Sequence, residues 1–100
     1  MNYSGIEISN QAIEEFCRRH HIRRLALFGS ILRDDFRPES DIDVLVTFEP
    51  DKTPGFGFID VRDELSEILG HPVDLHTPAS LSKYFRKEVL REAEALYDEI

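Results

Sequence analysis

Apolar positions recur along this chain in two rhythms, and the switches between them outline its elements. From residue 8 to residue 20, Ile8, Ala12, Ile13, Phe16 and Cys17 share one stripe at helical spacing, with Ser9 or Asn10 placed to cap the start. Arg23-Arg24-Leu25-Ala26-Leu27-Phe28 then reads as a short buried strand stopped by Gly29. Ser30 is positioned to cap a short helical turn that carries Arg33, and Pro38-Glu39-Ser40 reads as loop. Residues 41–48 form a second predicted strand. Its middle, Val44-Leu45-Val46, is apolar on both faces, as expected of a central strand in a covered sheet.

Glu49-Pro50-Asp51-Lys52-Thr53-Pro54-Gly55 is rich in turn formers and is the expected flexible loop. From Phe58 onward Val61, Leu65, Ile68 and Leu69 return to helical spacing, with Gly70 as the C-terminal cap. His71-Pro72-Val73-Asp74-Leu75-His76 predicts a third, short strand. Thr77-Pro78-Ala79-Ser80 leads into a last predicted helix, whose stripe runs Leu81, Tyr84, Phe85, Val89, Leu90, Ala93, Leu96 and Tyr97. No internal repeat, low-complexity tract or linker interrupts the series. Strands alternating with helices predict one α/β (α+β) domain spanning residues 1–100.

Composition narrows the function. One hundred residues support one modest core, and 41% hydrophobic with 32% charged residues is ordinary for a soluble globular domain. A formal net charge of -8 disfavours a protein that grips nucleic acid by its phosphates and favours an electropositive partner. Cys17 is the single cysteine; an internal disulfide is excluded, and its place on the apolar stripe marks it as a core residue. The N-terminus lacks a signal-peptide pattern and no apolar run reaches membrane-spanning length, so a cytoplasmic location without membrane contact is expected.

Candidate chemistry concentrates between residues 29 and 43. Asp41 and Asp43 enter the second predicted strand two residues apart, so they project from one face roughly 6.5 Å apart, with Ile42 on the other. Two anions so placed raise each other's pKa unless a cation sits between them, and oxygen-only ligands suit a hard ion such as Mg²⁺. Gly29-Ser30 lies where a strand gives way to a helical turn, a place where backbone N–H groups and a hydroxyl can meet a phosphate. It is not a Walker A loop, because no Gly-Lys-Ser or Gly-Lys-Thr is present. A two-ion site needs a further carboxylate, and Asp74 qualifies, since an unpaired charge inside Val73-Asp74-Leu75 is costly. Its expected role is to bind the catalytic metal and accept the proton of an attacking hydroxyl.

Phe28-Gly29-Ser30-x-x-Arg33, then Ser40-Asp41-Ile42-Asp43, resembles the signature of the DNA polymerase β-like nucleotidyltransferase superfamily, and in particular its minimal nucleotidyltransferase branch. The resemblance covers nearly the whole chain. It implies a small mixed β-sheet flanked by helices, Mg²⁺ (two ions) held at Asp41, Asp43 and Asp74, and a nucleoside triphosphate contacted by Gly29 and Ser30. Arg33 matches a frequently basic position beside the phosphates. The next residue is usually glycine in that branch, and here it is Asp34, an anion that either weakens nucleotide binding beside the triphosphate or simply faces solvent. Members of the branch commonly accompany HEPN-domain proteins in prokaryotic toxin–antitoxin pairs. The antitoxin transfers AMP from ATP to a tyrosine of the HEPN ribonuclease toxin.

Larger nucleotidyltransferases bind their acceptor with an additional domain, for which this length leaves no residues; a partner protein is therefore the expected acceptor, in a hetero-oligomer with the HEPN-type toxin. The leading expectation is protein adenylylation with ATP as substrate. The alternative is a binding module that neutralises its toxin by occlusion without catalysis. Transfer to a small molecule or an RNA end is disfavoured by the charge and the missing domain. Other features take structural readings. His20 and His21 form a solvated pair at a helix end, and His76 shares the face of Asp74 as an uncommitted strand-end residue. Lys83, Arg86, Lys87 and Arg91 form a solvated face, Phe56 and Phe58 suit a protein interface, and Tyr97 is expected in the core.

Overall fold

The structure is a computed structural model describing residues 1–99. The chain begins with a hairpin of β1 (Asn2–Tyr3) and β2 (Ile6–Glu7), turned through Ser4 and Gly5, both at positive φ. Helix α1 (Asn10–Arg19) follows; the Ser9 hydroxyl accepts the Ala12 N–H at 3.2 Å, so Ser9 is the cap. Its stripe buries Ile13, Phe16 and Cys17. Strand β3 (Ile22–Phe28) leads into a 3-10 turn at Gly29–Leu32, and β4 (Ile42–Phe48) returns antiparallel beside it. A 3-10 turn at Gly55–Gly57 opens α2 (Phe58–Leu69), which Gly70 ends in the left-handed conformation at φ 68°. Strand β5 (Val73–His76), helix α3 (Arg86–Glu92) and strand β6 (Glu94–Asp98) complete the chain.

The main sheet is mixed, with four strands in the order β5-β4-β3-β6. β5 runs parallel to β4 and the remaining pairs are antiparallel. Alternation along the strands separates two faces. Leu25 and Leu27 of β3, Ile42, Val44 and Val46 of β4, and Val73 and Leu75 of β5 join α1 and α2 in one core cluster. Phe28, Asp43, Asp74 and His76 occupy the intervening positions and are only partly buried or exposed. β4 is central, and all of Val44-Leu45-Val46 is buried. Cys17 is fully buried, as its place on the stripe requires.

The last third departs from expectation. The predicted helix through Tyr97 stops at Glu92; Ala93 turns extended at ψ 137°, and residues 94–98 pair with β3, setting Tyr97 opposite Leu25. The physical reason is the open edge of β3, whose backbone groups need partners that a longer helix would not supply. The expected apolar stripe is only in part a core face: Leu81 is buried, whereas Tyr84, Phe85 and Leu90 are exposed. Tyr97 is half-buried and packs against the core cluster from β6. Asp41 lies just before β4 rather than inside it. No helix among the described residues is long and apolar enough to cross a membrane.

Candidate active site

The site begins where β3 leaves the sheet. Gly29 adopts φ +78°, a left-handed conformation that side-chain-bearing residues rarely take. Space imposes the same choice: a Cβ at this position would lie 3.2 Å from Asp43 Cγ and overlap its carboxylate oxygen. The following 3-10 turn closes with the Arg33 N–H donating to the Ser30 carbonyl at 2.9 Å. Phe28 is the N-cap of this turn and no side chain bonds there, so Ser30 is not the expected cap. The terminal hairpin braces the turn, with the Ser4 hydroxyl donating to the Ile31 carbonyl at 2.8 Å.

The parallel register of β4 and β5 sets Asp43 beside Asp74. His76, two residues on, shares that face and places Nε2 3.0 Å from Asp74 Oδ2. Asp43, Asp74 and His76 each offer a ligand atom within 4.8 Å of the others. The Phe28 ring, opposite Asp43 in the antiparallel ladder, meets the His76 ring edge-on at 5.6 Å. Burial raises the Asp43 carboxyl pKa above its ordinary value, and Asp74 and Asp41 raise it further, while His76 and Arg33 pull it down. A half-buried carboxyl with two anionic neighbours is the electrostatic situation a bound cation relieves. The donors fit a divalent metal ion. Asp41 is exposed and stands outside the close trio, acting on Asp43 through its charge.

Of the sequence candidates, the structure gathers Gly29, Asp43 and Asp74, with Ser30 in the adjoining turn and Arg33 at its end. It adds His76, read from sequence as uncommitted; the signal was its spacing of two from Asp74. The anion that engages Arg33 is Asp35, whose Oδ1 lies 3.6 Å from Nε; Asp34 and Asp35 are both exposed. Beside the turn, α3 forms a groove of about 300 Å³ lined by Phe28, Gly29, Arg33, Phe85, Glu88 and Glu92 among others. Elsewhere, His20 and His21 are engaged rather than free in solvent: both ring nitrogens lie 3.2 Å from carboxylates, of Glu64 and Glu49 respectively. Phe58 packs edge-on against Phe48 at 6.4 Å, and Phe56 stays exposed.

Comparison with known proteins identifies the family and the fold. The nucleotidyltransferase domain model matches residues 9–96. The protein adenylyltransferase MntA of Thermococcus cleftensis is 38% identical over 80 residues, covering 79% of each chain. A solved structure provisionally identified as a minimal nucleotidyltransferase superposes with a TM-score of 0.71 at 35% identity, covering 85% of this chain and 86% of the other. A complex of the tri-AMPylated Shewanella oneidensis HEPN toxin with its MNT antitoxin shares the fold. Its TM-score is 0.63 at 23% identity, over 89% of this chain and 69% of that one.

Proposed function

This chain belongs to the nucleotidyltransferase domain family, and from that premise we propose that it transfers AMP from ATP to a tyrosine of a HEPN-type toxin protein. The observation that carries the reading is the pairing of Asp43 with Asp74 across the parallel β4–β5 ladder, directly beneath the Gly29 turn. It is supported by the adenylyltransferase relative and by the AMP carried on the toxin in the structurally similar complex.

In this proposal Mg²⁺, as two ions, supplies the positive charge that offsets the triphosphate and the charge developing during displacement. Asp41 and Asp43 would hold the ions that accompany the triphosphate. Asp74 completes the site and accepts the proton of the attacking hydroxyl. The open Gly29 turn lets phosphate oxygens approach backbone N–H groups closely, with the Ser30 hydroxyl as an added donor. Arg33 contributes a guanidinium suited to phosphate once it parts from Asp35. The tyrosine oxygen attacks the α-phosphorus, the bond to the bridging oxygen breaks, and pyrophosphate leaves.

The test is intact mass spectrometry of the cognate toxin after incubation with this chain, ATP and Mg²⁺. A mass gain of one or more AMP groups, mapped to tyrosine and lost with Asp41→Asn, Asp43→Asn, is expected. Full neutralisation by that double variant, without any mass gain, would assign the chain to occlusion instead.

A further inference from the structure

The three Asp positions account for the oxygen donors, and they leave His76 without a task. Its placement is specific. The imidazole comes from the same strand face as Asp74 and is steadied by the Phe28 ring at 5.6 Å. Its Nε2 stands 3.0 Å from Asp74 Oδ2, and Asp43 supplies a third ligand atom within 4.8 Å of both. Neighbouring ligands on an octahedral ion, at about 2.1 Å from the metal and about 90° apart, are separated by about 3.0 Å. The His76–Asp74 separation of 3.0 Å matches that edge as well as it matches a hydrogen bond, so the geometry admits both roles.

We propose that His76 ligates the metal through Nε2 together with Asp43 and Asp74, and that this nitrogen tilts the site from Mg²⁺ toward Mn²⁺. The inference rests on the reading of Asp43 and Asp74 as metal-site carboxylates. Mg²⁺ is a hard ion that prefers oxygen and parts reluctantly with water, so an imidazole adds little to its binding. Mn²⁺ accepts the same oxygen-rich octahedron yet gains from a nitrogen donor. An imidazole added to the Asp carboxylates therefore discriminates between two ions that the carboxylates alone treat more alike. The competing role for His76 is a hydrogen bond that only orients Asp74.

Electron paramagnetic resonance separates the two without reference to turnover. Free Mn²⁺ is titrated against the full chain without nucleotide, followed by Mg²⁺ competition, for wild type and for His76→Asn and His76→Gln. Wild type is expected to favour Mn²⁺ by about tenfold or more, with electron spin-echo modulation from a directly bound ¹⁴N. Both variants are expected to lose the ¹⁴N signal and about tenfold in Mn²⁺ affinity, with Mg²⁺ affinity little changed and the thermal midpoint retained. Tight Mn²⁺ binding without ¹⁴N coupling in wild type would overturn the ligand role while leaving the carboxylate site intact. Mn²⁺ binding that survives Asp43→Asn unchanged would overturn the underlying site as well.

Discussion

Gly29 makes room for the Asp43 carboxylate: a Cβ at position 29 would stand 3.2 Å from Asp43 Cγ and 3.3 Å from its Cβ. The turn and the carboxylate thus occupy adjoining space that a methyl group would fill. Gly29→Ala is expected to destabilise the fold by about 1–3 kcal/mol, from its positive φ together with the contact. It should also displace Asp43 and depress AMP transfer more than the stability loss accounts for. Denaturant unfolding and transfer assays on the same preparation check both.

Asp43 is a site where stability and chemistry pull apart. Its folded-state carboxyl pKa is raised, chiefly by burial and then by Asp74. The folded state therefore holds the proton more tightly than the unfolded one. The ionised group costs stability that is absent below the ordinary carboxylate pKa and grows as pH rises through the folded value. In metal-free buffer, Asp43→Asn is expected to raise the denaturation midpoint at neutral pH, with the difference closing near pH 3. The same substitution should lower transfer by about 10²–10³-fold, since in the proposed mechanism a metal ion held there would stabilise the transition state by several kcal/mol.

Arg33 is engaged by Asp35 at 3.6 Å, with both side chains well exposed. Exposed pairs of this kind contribute about 0–1 kcal/mol, so releasing Arg33 has a bounded effect. Asp35→Asn is expected to tighten ATP binding up to about fivefold at low salt, shrinking as ionic strength rises. Asp34→Asn should change it less. Equilibrium binding of a fluorescent ATP analogue across a salt series distinguishes the two positions.

Cys17 lies fully buried in the α1 stripe, and burial pushes its thiol pKa up to about 12. Because the folded value exceeds the unfolded one, the buried thiol favours the fold at neutral pH and loses that advantage as pH rises from about 9 toward 12. Alkylation of the native chain at pH 8 is expected to be negligible. In denaturant it should run to completion, at a rate that reports opening of the α1 core.

The helices α1 and α2 and the strands β3, β4 and β5 were readable because each carries a single clear period and a chemically distinct stop, such as Gly70 at the end of α2. The segment through Tyr97 was not. Ala93, Leu96 and Tyr97 suit a helical stripe, yet β3 lacked a partner on its outer edge, and sheet pairing overrode local spacing. Residues 2–7 are too few per strand to show a period at all. At the site, Gly29, Asp43 and Asp74 stood out by type and context. What no local pattern encodes is the β4–β5 register, which decides that Asp74 stands beside Asp43 and brings His76 with it. Asp35 rather than Asp34 engaging Arg33 is likewise a matter of turn geometry, invisible to adjacency in sequence.

The parallel pairing of β4 and β5 has a thermodynamic consequence. Their donors are joined through the whole of α2, so the unfolded chain cannot present Asp43 and Asp74 as one ligand set. Any ion they share is then bound only by the assembled sheet, and each tenfold rise in free ion above its dissociation constant deepens the native well by about 1.4 kcal/mol. With the proposed site able to load, the melting temperature of this domain would gauge the divalent ion available to it.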